Sequence, residues 1–159
     1  MSSHLLEVLH KNRNMASYDE QLRFIEAVKS LKPQDTTLLP ELFYLFYDND
    51  EEDTALKYLA SYIDGFDLEV VIQHLVQVTP ALIGTARTWL TSFYIIGLLH
   101  VEFVEVWKNA IDKLTENDRT LVHALFAEIK AQTEKMLSVT QYGIESYEHV
   151  LVSIKQLSK

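Results

Sequence analysis

The chain has 159 residues, 48% of them hydrophobic, and a formal net charge of −9. That apolar content can build a sizeable core in one domain over 1–159, which excludes a disordered chain. The lack of cysteine excludes disulfides and thiolate metal sites and fits a reducing cytosol, while the negative balance disfavours nucleic acid as a direct ligand, because that binding neutralises phosphates with Lys and Arg.

Four Gly and three Pro are too few for the turns of a many-stranded β protein. The expected fold is all-α: about nine helices as stacked antiparallel pairs, either a HEAT-like repeat or an irregular bundle. The first residues, MSSHLLEVLHKNRN, lack the apolar core and cleavage site of a signal peptide. The uncharged span Thr88 to Val101 is too short and too rich in Thr, Ser and His to cross a bilayer. The expectation is a cytoplasmic protein with no membrane partner.

In chain order, Ser3 caps a short helix carrying Leu5, Leu6 and Leu9. Ser17-Tyr18-Asp19-Glu20 fits a capping box, and the helix it opens should stop before Pro33. The next stretch, Leu38 to Gly65, reads as helix, acidic turn and second helix. Its apolar run Leu42 to Tyr47 gives way to Asp48, Asp50, Glu51, Glu52 and Asp53; Asp50 is expected to cap the second helix, and Gly65 to close it in a left-handed conformation. Asp67 caps a helix with Leu68, Val71, Ile72, Leu75 and Val76 inward. Thr79-Pro80 is expected to end that helix and open the next, where Leu82, Ala86, Trp89, Phe93 and Ile96 recur at helical spacing. Between Val70 and Val101 the only Lys, Arg, Asp or Glu is Arg87, which places these two helices at the centre. Glu102 to Leu114, a helix from Thr115 carrying Leu121, Val122, Leu125, Phe126 and Ile129, and a last helix carrying Ile144, Tyr147, Val150, Leu151 and Ile154 complete the chain. Helix pairs recur at roughly 32 to 35 residues, near the period of helical-repeat arrays.

The surplus charge is local. Leu38 to Glu69 holds nine acids (Glu41, Asp48, Asp50, Glu51, Glu52, Asp53, Asp64, Asp67, Glu69) and one base, Lys57. Capping needs one or two of them; repulsion among the rest opposes a compact state unless a partner uses it. Two readings stand side by side, a solvated capping turn and a docking surface for a basic protein. Tyr47, Tyr58 and Tyr62 edge this run, as interface anchors or as core-rim aromatics with wetted hydroxyls. A calcium loop fails on spacing: counted from Asp48, the glycine position is Asp53 and the closing glutamate position is Leu59. The six histidines show no helical metal-ligand spacing, no phosphate loop or nucleophile elbow occurs, and no cofactor, metal or catalytic residue is assigned.

The segment LLPELFYLFYDNDEEDTALKYLASYIDGFDLEVVIQHLVQVTPALIGTARTW, within a span from Leu38 to about Leu114, resembles the immunity protein 30 family of bacterial polymorphic-toxin and contact-dependent inhibition systems. The likeness lies in the apolar helix closed by Asp48 and Asp50, in Tyr62-Ile63-Asp64-Gly65-Phe66, in Leu75 to Pro80 and in the Ala86-x-x-Trp89 pair. Where the family tends to carry an Arg-containing polar segment after Trp89, this chain has Tyr94-Ile95-Ile96-Gly97-Leu98-Leu99. The resemblance implies a non-enzymatic protein that binds and neutralises one cognate toxin domain, often a nuclease. The expected partner surface is Tyr47, Asp48, Asp50, Glu51, Glu52, Asp53, Tyr58, Tyr62, Asp64, Asp67 and Glu69. A helical-repeat adaptor for an unrelated cellular protein is the alternative, and a carboxylate-metal enzyme the third reading.

Overall fold

A computed structural model describes residues 2–49, 53–139 and 143–159. The described residues form nine α-helices and no strand: α1 (Ser2–Lys11), α2 (Tyr18–Lys29), α3 (Leu39–Phe43), α4 (Thr54–Ile63), α5 (Leu68–Leu82), α6 (Arg87–Leu98), α7 (Val104–Asp112), α8 (Glu116–Val139) and α9 (Ile144–Leu157). Single 3-10 turns precede α3 (Thr36–Leu38) and α7 (Val101–Phe103).

Local capping sets several of these starts as the sequence predicts. Ser17 Oγ accepts from Glu20 N–H at 3.2 Å, and the Glu20 carboxylate reaches one residue further back than a standard box, to Ala16 N–H at 2.7 Å. Asp67 accepts from Glu69 N–H at 3.1 Å, and Thr115 Oγ1 from Asp118 N–H at 3.2 Å. Four boundaries differ from expectation. The first helix already includes Ser3, so that residue is not its cap. The helix after the acidic turn starts at Thr54, with Asp53 at its N-cap position; Asp50, the expected cap, lies outside the described residues. Gly65 does not take a left-handed conformation; Asp64 is the C-cap, and the only positive-φ glycine among the described residues is Gly143, just before α9. Pro80 lies inside α5, two residues from its end, and α6 opens at Arg87 instead. A proline there removes only one late backbone donor, and Thr79 Oγ1 donates to Leu75 O at 2.7 Å in the same turn.

The core centres on α5, which packs against α3, α6, α7 and α8, as the uncharged span predicted. Sequential pairing does not hold throughout: α3 packs on α5 while α4 packs on α2, so the expected hairpin over 38–65 is opened out. Trp107, Tyr94 and Phe126 form one buried aromatic group, with Tyr94–Trp107 ring centroids 4.9 Å apart. Gly97 makes this packing possible, because a Cβ there would come within 2.7 Å of Trp107 Cζ2. Leu121 and Ile96, which recur with the apolar residues of their helices at helical spacing, are nonetheless exposed, as is Ile144.

Candidate partner-binding surface

Residues 44–49, which follow α3 without helical structure, are anchored from two sides. The side chains of Leu45 and Phe46 are buried, which pulls the backbone inward and leaves its carbonyls in need of donors. Arg13 supplies them: Nε donates to Leu45 O and Nη2 to Phe46 O, each at 3.3 Å. The same guanidinium lies 5.7 Å from the centroid of the Tyr47 ring, which fixes that tyrosine at the edge of the acidic run.

Asp48 is held by α6. Its N–H donates to Thr85 O at 2.7 Å, and both its carboxylate oxygens lie 3.0 Å from Thr88 N. The residue at the N-cap position of α6, Ala86, has no side chain able to cap it, so Asp48 does that work from a distant part of the chain. Asp53 makes no cap bond and pairs with Lys57 at 3.2 Å. Asp48, Asn49 and Asp53, with Thr88 and Trp89, line a polar cavity of about 270 Å³. Tyr47, Asn49 and Asp53 also line a neighbouring one of about 280 Å³. Asp50, Glu51 and Glu52 lie outside the described residues.

Tyr58 and Tyr62 belong to a different cavity. With Val28, Leu31 and Pro33 they line an apolar groove of about 420 Å³ between α2 and α4. Tyr62 O–H donates to Lys32 O and its ring meets Phe66 edge-on at 5.2 Å. Burial, helped by nearby Asp35, pushes its phenol above the usual range. Lys29 Nζ sits 5.0 Å above the half-exposed Tyr58 ring.

Asp64 sits at the far end of α4 from Asp53, about 15 Å along a ten-residue helix. It borders a groove of about 260 Å³ with Phe66, Leu68, Val71, Phe93, Ile96 and His100. Partial burial raises its carboxyl above the ordinary value. Asp67 is engaged as the α5 cap, and Glu69 stands exposed in the first turn of α5.

The expected surface is therefore three neighbourhoods arranged along α4: the loop with Tyr47, Asp48 and Asp53; the α2–α4 groove with Tyr58 and Tyr62; and the corner with Asp64, Asp67 and Glu69. Sequence reasoning missed Arg13, Asn49, Ile96 and His100 as members. Trp89, read as one of the apolar residues at helical spacing, is half-buried, its ring 4.8 Å from Phe46 on one side and lining the loop cavity on the other. Only Asn49, within the acidic run, carried a local signal.

A family model described as immunity protein 30 matches residues 11–107, which include all three neighbourhoods. No curated protein and no solved structure matches the chain.

Proposed function

Because the chain belongs to the immunity protein 30 family, we propose that it binds and neutralises one cognate toxin domain without catalysing a reaction. In this reading the toxin domain is basic, a nuclease of a polymorphic or contact-dependent inhibition system, and is met in the cytoplasm. The observation that carries the electrostatic part is the imbalance between Leu38 and Glu69, nine carboxylates against one lysine. A nuclease cleft must be basic to hold phosphates, so an acidic surface is drawn to it and competes with substrate. Charges around the contact raise the rate of encounter, and desolvated pairs slow dissociation.

The neighbourhood of Tyr47, Asp48 and Asp53 is the part of the surface best suited to the first contact. Arg13 and the α6 N-terminus hold the backbone at Leu45 and Phe46 and the carboxylate of Asp48, and the sequence carries three further acids, Asp50, Glu51 and Glu52, between Asn49 and Asp53. Tyr47 and the half-buried Trp89 supply aromatic edges beside it.

Co-expression with the toxin domain encoded beside this gene tests the proposal. Wild-type protein protects the cells, and a variant with Asp50, Glu51, Glu52 and Asp53 all changed to Lys loses protection while keeping its helical circular dichroism. Full protection by that variant would remove the loop from the interface, and failure of the wild type to protect would remove the toxin.

A further inference from the structure

The groove beside Asp64 lies where two helices end. Ile63 and Asp64 bring the C-terminus of α4 to one wall, and Ile96 and His100 bring the C-terminus of α6 to another. Helix C-termini carry partial negative charge and are commonly answered by Lys, Arg or His in the last turn; neither helix has one there. Instead α4 is closed by a carboxylate, Asp64, which has no ion-pair partner among the described residues. The opposing positive end of α5 is already answered by Asp67 and Glu69.

Compensating cations are scarce in the surrounding sequence. Between Tyr58 and Trp107 the chain has a single Lys or Arg, Arg87, and its guanidinium is paired with Glu128. The one basic group on the groove wall, His100, has its Nδ1 3.3 Å from Glu102 Oε1. The rest of the wall is apolar, and Ile96, 41% exposed, stands open to solvent at its edge.

We propose that this groove receives one lysine or arginine side chain of the bound toxin domain, its aliphatic stem against Phe66, Leu68 and Ile96 and its cationic head on Asp64. Long basic side chains lay their methylenes on apolar surface and keep the charge at the rim, which is the pairing of surfaces found here. The proposal rests on the toxin-binding reading and deepens it by adding a second, apolar-walled contact about one helix length from the acidic loop.

The test is calorimetric titration with the purified toxin domain that wild-type protein neutralises on co-expression. Asp64→Asn, close to isosteric and at an exposed position, is expected to weaken binding about tenfold or more and to flatten its salt dependence. Ile96→Lys, which puts a cation of this chain at the groove edge, is expected to weaken it further. Unchanged helical circular dichroism and melting temperature show that both variants fold. Binding by both variants within twofold of wild type overturns the groove while leaving the toxin reading intact; no binding by the wild type overturns both. A double-mutant cycle supplies the second readout. One Lys or Arg of the toxin domain should couple to Asp64→Asn, and additivity at every basic position of the toxin would also overturn the proposal.

Discussion

Asp48 and Thr88 stand 40 positions apart in the chain, yet both carboxylate oxygens of Asp48 lie 3.0 Å from Thr88 N, at the opening of α6. One carboxylate of the acidic run is thereby committed to the fold. The repulsion among its neighbours is offset in part by this bond and by the Asp53–Lys57 pair at 3.2 Å.

Asp48→Ala is expected to destabilise the protein by about 1 kcal/mol, the usual cost of losing a helix cap, and Asp48→Asn by only a few tenths. Urea denaturation followed by circular dichroism measures both. Equal stability of Asp48→Ala and wild type would show that the α6 N-terminus does not depend on this contact.

Gly97→Ala sets two effects against each other. Alanine is the better helix former by about 1 kcal/mol, but its Cβ would come within 2.7 Å of the fully buried Trp107 ring. Overpacking of a close-packed core costs about 1–3 kcal/mol, so net destabilisation and an altered tryptophan fluorescence spectrum are expected. A more stable Gly97→Ala protein would contradict the packing described.

Tyr94 is fully buried, and its hydroxyl lies 2.7 Å from Thr79 Oγ1. Since the Thr79 hydroxyl already donates to Leu75 O, Tyr94 must donate and Thr79 accept. Thr79→Val removes that acceptor and should cost about 1–3 kcal/mol, while the pair Thr79→Val, Tyr94→Phe should cost less than the sum of its single changes. The same burial pushes the phenol well above its ordinary 10.0. The unfolded chain releases this proton near pH 10 and the folded chain does not, so stability should fall as pH rises past about 10. In Tyr94→Phe that alkaline slope should be shallower, as read from denaturant midpoints between pH 8 and 11.

The Arg87–Glu128 pair looks strong in geometry, with Arg87 Nε 3.0 Å from Glu128 Oε2, and it holds the Arg87 guanidinium above and the Glu128 carboxyl below their usual ranges. Both side chains are largely solvated. Exposed pairs contribute little, so Glu128→Gln should change stability by no more than about 0.5 kcal/mol, a shift that thermal melts in low and high salt would resolve.

Much of this molecule was legible in its sequence because it is written in local chemistry. The helical class follows from apolar spacing and few glycines, and Ser17, Asp67 and Thr115 start helices by bonds to their own neighbours. Where the sequence misled, the deciding contact was distant or was a packing choice. Asp48 looked like part of a turn, and its main partner lies in α6. Pro80 looked like a helix start, yet tertiary packing continues α5 through it. The charge of the candidate surface was countable in advance. Its division into three neighbourhoods was not, because it depends on α4 packing against α2 rather than α3. Ile96 could not be placed either, since a stretch that is apolar all round gives no sign of which face stays uncovered.

The family match ends at Trp107, in the middle of α7, but the interior it belongs to does not. Phe126 of α8 covers Tyr94 and Trp107 with centroids 5.6 and 5.7 Å away, and Ser153 of α9 donates its hydroxyl to Leu98 O at 2.7 Å. A protein clipped at the match boundary would turn a wall of bare rings toward water and clump rather than stay dispersed. The last third of the chain thus acts as a stopper for the matched part, keeping those rings dry.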